Sequence, residues 1–342
     1  MMCNCVFTPR LAVRRVSLSL LVAASVAFAL PASAKGGGWP KCRGADPDAR
    51  IAGCSQVIER IAKESRHNKI AAYVNRAGAY QLKGDYDRAF EDFGKALEVD
   101  PKSSLILSAR GAAYRAKGDL ERALADYDAA IAANSRDAHA FAGRAGVRYA
   151  KGDLDAAIAD YTQAIALNKR YGAAYDGRAA AWRAKGNSEK ALEDLSAAIH
   201  IDRGQAIHCL HRGAVYQGKG DWDHAIADFS EAIKREPKLA IARNNRGLAY
   251  HGKRDFDRAI ADFDEAIKLD AKYAAAYLNR ANAYRGKKDF ERAKADIETT
   301  LQFKPDLAPA KKALDDVNRA LAKKAAAKVG VGSEEPPKEG AH

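Results

Sequence analysis

The side chains best suited to metal or acid-base chemistry lie near the middle of the chain. His208 and His211 flank Cys209 at a spacing of i, i+3, which would put both imidazoles on one face of a helix. Imidazole nitrogens and thiolates are common ligands of Zn²⁺, but a site here would need a third ligand on that face. His224 belongs to a different predicted helix. The sequence therefore predicts no metal site.

Motifs that build an active site are absent from the sequence. There is no Gly-x-Ser-x-Gly elbow, no His-Glu-x-x-His zinc motif, no phosphate-binding P-loop and no glycine-rich dinucleotide fingerprint between a strand and a helix. No strand is predicted that could carry such a motif. The sequence thus favours a protein that is not an enzyme and that has no cofactor.

The start of the chain, 1–34, has the layout of a secretory signal peptide. Arg10, Arg14 and Arg15 precede an apolar run over residues 16–30, and Ala32-Ser33-Ala34 follows it. We expect cleavage after Ala34 and export, most simply to a bacterial periplasm. The general and the twin-arginine routes both stay open, as does a retained anchor at 16–34. No later apolar run approaches the ~20 residues that span a bilayer, so the mature chain should lack a transmembrane segment.

Three cysteines remain after the predicted cleavage site. In an oxidising compartment, Cys42 and Cys54 could close a small loop around Asp46-Pro47, which would stabilise the fold by about 3 kcal/mol. The alternative is a pair of inert buried thiols. Cys209 occupies a position that bulky residues fill elsewhere in the chain, so we expect it to be part of the core.

A sequence pattern recurs at a fixed interval through most of the chain. Tyr216, Tyr250 and Tyr284 are equally spaced. An alanine recurs with the same period at Ala89, Ala123, Ala157, Ala191, Ala225, Ala259 and Ala293. One helical turn after it comes a bulky side chain: Phe93, Tyr127, Tyr161, Leu195, Phe229, Phe263 and Ile297. Each interval contains a Gly-rich turn between two helical patterns, which predicts a chain of helix-turn-helix units.

This pattern resembles the tetratricopeptide repeat, whose unit of about 34 residues has a small-x-x-Tyr, Gly-turn, Ala-x-x-x-Phe order. The resemblance implies an all-α fold: a right-handed α-solenoid of seven helix-turn-helix repeats with terminal capping helices. The expected repeats are 70–103, 104–137, 138–171, 172–205, 206–239, 240–273 and 274–307.

The segments on either side of the repeats are predicted to cap them. Residues 35–69 form an N-terminal capping segment, with a helix from Ala49 to Ser65. Residues 308–328 form a C-terminal capping helix rich in lysine. Residues 329–342 mix glycine, proline and charge without apolar periodicity, so we expect a disordered tail.

Two charged pairings recur in every repeat and therefore indicate structural roles. Arginine replaces the apolar residue that the family usually has in the first helix, at Arg76, Arg110, Arg144, Arg178, Arg212, Arg246 and Arg280. An aspartate precedes each bulky residue of the second helix, at Asp92, Asp126, Asp160, Asp194, Asp228, Asp262 and Asp296. We expect a ladder of partly buried ion pairs, closed either within a repeat or between repeats.

The second pairing involves a lysine before each turn and an acid after it. The lysines are Lys83, Lys117, Lys151, Lys185, Lys219, Lys253 and Lys287, and the acids begin with Asp87 and end with Glu291. Both complement the dipoles of the helices on which they lie. We prefer this role to a track of lysines for an acidic ligand.

The positions that differ between repeats are the candidates for binding. The resemblance implies that positions two, five, six, nine and twelve of the first helices line a groove, and we call this surface the first-helix face. In the last three repeats it becomes rich in amides and apolar residues, which suit an extended peptide. The predicted ligand-binding residues are Ile207, Leu210, His211, Ile241, Asn244, Asn245, Leu248, His251, Leu278, Asn279, Asn282 and Arg285.

The favoured function is a non-enzymatic, exported scaffold that binds a peptide or protein partner. The alternative is an electrostatic adaptor for anionic envelope polymers or membrane surfaces, because the formal net charge is +13. Nucleic acid is not an expected partner, since the aromatic residues occupy packing positions and do not alternate with basic residues on one face.

Overall fold

The computed structural model describes residues 37–330, with side chains through residue 326. The predicted signal peptide 1–34 and the part of the predicted disordered tail beyond residue 330 lie outside the described residues. Within the described range the regular elements are helices and there is no strand. The predicted all-α, helical-repeat fold is thus confirmed.

The chain divides after Asn187 into two compact units. In the first unit, two short elements precede the repeats: α1 (Trp39–Cys42) and α2 (Pro47–Ile58), followed by a 3₁₀ turn at Ile61–Lys63. The helices of its repeats are α3 (Arg66–Leu82), α4 (Tyr86–Val99), α5 (Ser104–Lys117), α6 (Leu120–Ala133), α7 (Ala138–Lys151), α8 (Leu154–Leu167) and α9 (Gly172–Ala184).

The second unit begins with the second helix of the fourth repeat. Its helices are α10 (Ser188–Ile201), α11 (Ala206–Gly218), α12 (Trp222–Arg235), α13 (Ala240–Gly252), α14 (Phe256–Leu269), α15 (Ala274–Gly286), α16 (Phe290–Phe303) and α17 (Ala308–Gly330). The last helix continues past residue 328, where the sequence predicts it to end.

Aspartate side chains start most of the second helices. Asp85 Oδ1 accepts a hydrogen bond from the backbone N–H of Arg88, and the same arrangement recurs at Asp119, Asp153, Asp221, Asp255 and Asp289. Each carboxylate satisfies an N–H group that has no partner inside the helix, and its charge complements the helix dipole. The N-cap residues thus fix where each turn ends.

The turns before these aspartates need a left-handed backbone. Five repeats have glycine there, as at Gly118 (φ 92°) and Gly220 (φ 75°). The sixth and seventh repeats instead have Arg254 (φ 63°) and Lys288 (φ 62°). A side chain at positive φ is strained, so these two turns cost more conformational free energy than the others.

The core of each unit is made of the alanine and bulky residue that define the second helices. In the second unit Ala259 and Phe263 are fully buried, and Leu248 and Phe256 pack against them. In the first unit Phe93 packs with Ile70 and Ile106 from neighbouring first helices. Each second helix therefore buries its apolar side between first helices, which positions the opposite side of those first helices at the surface.

The N-terminal capping segment differs from the single helix predicted over 49–65. Helix α2 starts at Pro47, because Asp46 caps it by accepting from the N–H of Ala49, and ends at Ile58. Arg60 then leaves the helical conformation (φ −118°, ψ 25°). Ser65 caps α3, which starts before the predicted repeat boundary at 70.

The predicted disulfide is present in the structure. Cys42 and Cys54 are bonded, with their Cα atoms 4.5 Å apart, and the bond joins α1 to α2. Both are fully buried beside Trp39 and Val57. Cys209 is a free thiol and is buried in the core, as expected.

Candidate functional site

The recurring arginines and aspartates form a framework that closes within repeats. In the sixth repeat, Arg246 Nε donates to Asp262 Oδ2 at 2.8 Å and Nη2 donates to Oδ1 at 2.7 Å. The same two-bond geometry joins Arg76 to Asp92, Arg110 to Asp126, Arg144 to Asp160, Arg212 to Asp228 and Arg280 to Asp296. In these six repeats, therefore, the pair closes inside the repeat, a point that the sequence left open.

The same arginines make a third bond that was not predicted from the sequence. Arg246 Nη1 donates at 3.0 Å to the hydroxyl of Ser230, which lies on the second helix of the preceding repeat. Equivalent acceptors are Asp128, Thr162, Ser196 and Asp264. In four repeats the guanidinium, that of Arg144, Arg212, Arg246 or Arg280, therefore joins two consecutive second helices. The signal was present in the sequence, because each acceptor comes two positions after a framework aspartate.

The pKa values of these arginines reflect the pairing. The hydrogen bond to Asp262 raises the pKa of Arg246, although partial burial acts in the opposite direction. The aspartates are about nine-tenths buried or more, as with Asp262 at 5% exposure. A carboxylate at that depth needs a charged partner, because an isolated one would cost several kcal/mol. We infer that this framework stabilises the fold and does not bind the ligand.

The lysines before the turns are also committed to contacts between repeats. Lys117 Nζ lies 3.0 Å from Asp87, and Lys151 Nζ lies 2.8 Å from Glu121 of the preceding repeat. Lys185, Lys253 and Lys287 pair in the same way with Asp155, Asp223 and Asp257. These exposed pairs each stabilise weakly, but they balance the positive charge of the lysines locally.

Ten of the predicted binding residues are partly exposed in the second unit. They lie on three first helices, α11, α13 and α15. These ten are Ile207, His211, Ile241, Asn245, Leu248, His251, Leu278, Asn279, Asn282 and Arg285. The apolar members contact the core with part of their surface, as Ile207 and Ile241 do beside Phe229.

For two of the predicted binding residues, the prediction that they are accessible to a ligand is wrong. Leu210 is 3% exposed because it packs in the core with Cys209 and Phe229. Asn244 is 4% exposed, and its amide is enclosed by other amides. The resemblance implied that both lie on the inward side of the helix, but neighbouring first helices cover that part of the surface.

The amides of α13 and α15 form a chain of hydrogen bonds. Asn279 Nδ2 donates to Asn244 Oδ1 at 2.9 Å, and Asn244 Nδ2 donates to Asn245 Oδ1 at 3.2 Å. Within the described part of the chain, Asn245 Nδ2 and Asn279 Oδ1 make no further hydrogen bond. The buried Asn244 thus orients two exposed amides, one with an open donor and one with an open acceptor.

A second group of polar side chains lies at the end of this face. Arg285 Nη1 donates to Asn282 Oδ1 at 3.1 Å, and Arg285 Nη2 lies 3.6 Å from Asp316 of α17. Burial lowers the pKa of His251, although a hydrogen bond involving the backbone of Asn282 acts in the opposite direction. His251 is therefore held in its neutral form near pH 7.

The histidines beside Cys209 do not converge on a shared point. His208 is buried, with Nε2 3.4 Å from Asp202 Oδ2, whereas His211 is partly exposed. Over residues 37–330, no three His, Cys, Asp or Glu side chains are grouped as a metal site would require. None of the helices in that range combines the length and apolar content needed to cross a membrane.

Family models described as tetratricopeptide repeat match residues 70–103, 142–206, 211–274 and 248–308, which together cover more than half of the chain. Among curated proteins, no sequence relative matches.

Several solved structures are similar in fold. One is the structure of the APC/C hetero-tetramer Cut9-Hcn1, at a TM-score of 0.61 and 20% identity, covering 79% of this chain and 52% of that one. A tetratricopeptide repeat protein from Parabacteroides merdae gives a TM-score of 0.55 at 20% identity, covering 73% of this chain and 98% of that one. Pseudomonas aeruginosa pilF gives 0.55 at 17% identity, covering 64% and 100%. At these identities the likeness shows the fold alone, and this chain spans only about half the length of the first.

Proposed function

Because the chain belongs to the tetratricopeptide repeat family, we propose that it is a non-enzymatic, exported scaffold that binds an extended peptide or protein segment on its first-helix face. The observation that carries this proposal is the amide chain of α13 and α15. Its open donor on Asn245 and open acceptor on Asn279 match the C=O and N–H groups of an extended peptide backbone.

Apolar side chains on the same face supply pockets for the side chains of such a peptide. Leu248 on α13 and Leu278 on α15 are partly exposed and are anchored against the core. Amides give affinity for any extended backbone, while apolar pockets select the sequence. The face thus combines both parts of a peptide-recognition surface.

The experiment is a selection of linear peptides from a random library on the immobilised protein, followed by affinity measurement on two matched variants. Asn245→Asp keeps the oxygen that Asn244 needs and removes the open donor. Asn318→Asp makes the same charge change at an exposed site on α17. We expect Asn245→Asp alone to weaken the selected peptide about 5–10-fold, as the loss of a hydrogen bond would. Equal affinity in both variants would contradict the proposal.

The electrostatic alternative has less support from the charge arrangement. Five of the lysines that precede the turns are paired with acids of the preceding repeat, for example Lys117 with Asp87. Their positive charge is therefore balanced locally. A polyanion complex would weaken steeply between low and moderate salt, because screening lengths fall to about 8–10 Å there. A peptide bound through amides and leucines would respond little.

Export to the periplasm is part of the proposal and is supported by the disulfide. A buried Cys42–Cys54 bond suits an oxidising compartment. Protein recovered from periplasmic extracts should begin at residue 35 and contain this bond, with Cys209 as the only free thiol. Recovery of an uncleaved chain with reduced Cys42 and Cys54 would contradict export.

A further inference from the structure

The first unit contains two tyrosines at positions that hold a bulky residue without a hydroxyl in the other repeats. Tyr127 on α6 and Tyr161 on α8 take the place of Phe93, Phe229 and Phe263. They are 3% and 7% exposed, and burial raises the pKa of both hydroxyls. Within the described part of the chain, neither hydroxyl makes a hydrogen bond. Two nearly buried donors thus have no protein partner.

Glycines let these hydroxyls reach the first-helix face. A Cβ at Gly143 would lie 2.7 Å from the Tyr127 hydroxyl, and one at Gly177 would lie 2.6 Å from the Tyr161 hydroxyl. Each glycine follows its tyrosine at the same spacing along the sequence. The residue at this spacing is Ala, His or Asn wherever Phe or Leu takes the place of tyrosine: Ala109, His211, Asn245 and Asn279. Tyrosine and glycine therefore occur together, and the missing Cβ leaves room for the ring to extend between first helices.

Arg115 on α5 completes the cluster. A Cβ at Gly146 would overlap Arg115 Nη1 and would lie 3.6 Å from the Tyr161 hydroxyl. The Arg115 guanidinium and the Tyr161 hydroxyl therefore lie beside the same glycine of α7. The charge of Arg115 lowers the pKa of Tyr127 and Tyr161 against the effect of burial. Arg115 is partly buried and forms no ion pair or hydrogen bond within residues 37–330. This differs from the framework arginines, which have carboxylate partners.

Three carboxylates near the cluster, Asp126, Asp137 and Asp176, narrow the choice of ligand. Asp137 is already engaged, because it accepts from the backbone N–H groups of His139 and Ala140 and from the hydroxyl of Ser104. The negative charges of Asp126 and Asp137 raise the pKa of Tyr127, and that of Asp176 raises the pKa of Tyr161. A multiply charged phosphate would be repelled more strongly than a single carboxylate, so the surroundings favour the latter.

We propose that Arg115, Tyr127 and Tyr161 form a binding site for one carboxylate side chain, an Asp or Glu of an extended peptide lying on the first-helix face of the first unit. The guanidinium supplies charge and the phenols supply two further donors, which is a suitable donor set for a carboxylate. The missing Cβ atoms at 143 and 177 make room for the two phenol rings, and the one at 146 makes room for the guanidinium. This site rests on the proposed peptide-binding function and adds a preference for an acidic residue.

The test is an NMR titration of the ¹⁵N-labelled protein with acetyl-Ala-Glu-Ala-amide and, separately, with acetyl-Ala-Gln-Ala-amide. The glutamate peptide should shift the amide signals of Gly143, Gly146 and Gly177 in a saturable way, with at least 5-fold higher affinity than the glutamine peptide. Arg115→Gln should abolish that preference, and Tyr127→Phe or Tyr161→Phe should each reduce it about 3-fold. Arg183→Gln, at the same helix position in the fourth repeat, is the matched control and should change nothing.

The outcomes separate this site from the general function. Equal binding of the two peptides, or a glutamate preference that survives Arg115→Gln, would overturn the site. If library-selected peptides still bind the first-helix face without favouring acidic residues, the proposed function stands and this site fails. If the glutamate peptide binds here but no library peptide binds, the site stands as a carboxylate site and the scaffold proposal fails.

Discussion

Arg246 and Asp262 are joined by two parallel hydrogen bonds within one repeat, at 2.8 and 2.7 Å. Asp262 is 5% exposed, so its carboxylate has exchanged water for the guanidinium. The planar fork of arginine matches both carboxylate oxygens, which gives this pair a fixed geometry. A third bond to Ser230 extends the same contact to the preceding repeat.

Breaking this pair from one side should be costly. We expect Arg246→Leu to lower the free energy of unfolding by about 3 kcal/mol, because it leaves a buried carboxylate unpaired. Adding Asp262→Ala should recover more than half of that loss, since the pair is internal to the repeat. Urea denaturation of the two variants measures this. A double variant that is no more stable than Arg246→Leu alone would show that Asp262 is held by other groups.

The third bond can be tested where the chain lacks it. The equivalent acceptor position for Arg110 is Gly94, which has open space around it. Gly94→Ser should stabilise the protein more than Gly94→Ala, although alanine has the higher helix propensity by roughly 0.5 kcal/mol. The serine hydroxyl would add a bond of about 1 kcal/mol to Arg110 Nη1. A larger gain from alanine would mean that the third bond contributes nothing.

Glycine substitutions in two of the turns should stabilise the folded protein. Arg254→Gly and Lys288→Gly should each raise the free energy of unfolding by about 0.5–1 kcal/mol, because both positions have a left-handed backbone. Gly220→Ala is the matched reverse change and should destabilise by a similar amount. Thermal melts of the three variants decide this. Destabilisation by both glycine substitutions would indicate that contacts such as Arg254 with Phe256 outweigh the strain.

His251 should make stability depend on pH. Burial lowers its pKa in the folded state below the ordinary value of 6.5, so the unfolded chain binds more protons near that pH. The stabilisation is complete above pH 6.5 and is lost as the pH falls from 6.5 through the folded pKa. Unfolding measured between pH 8 and pH 5.5 should show a shallower loss for His251→Gln than for the parent protein. Parallel curves would exclude a depressed pKa.

The fixed period of the sequence was enough to predict the fold class and the pairing of arginine with aspartate. It could not decide that Arg246 pairs with Asp262 of its own repeat, because the repeat places an aspartate at the same height on the next second helix. The family resemblance also implied that Leu210 and Asn244 lie on the inward side, yet neighbouring helices bury both. The contact of Tyr161 with Gly177 depends on how far one ring extends between two helices. That distance cannot be predicted from the period of the sequence.

Asn245 and Arg246 are adjacent on α13 and have opposite assigned roles, one in binding and one in structure. The most direct test measures the melting temperature and the affinity for one library-selected peptide on Asn245→Asp and on Arg246→Leu with Asp262→Ala. We expect Asn245→Asp to weaken the peptide about 5–10-fold with little change in melting, and the double variant to melt lower while binding the peptide normally. The opposite result, with Asn245→Asp lowering melting more than the double variant while peptide affinity is unchanged, would contradict the division between framework and first-helix face.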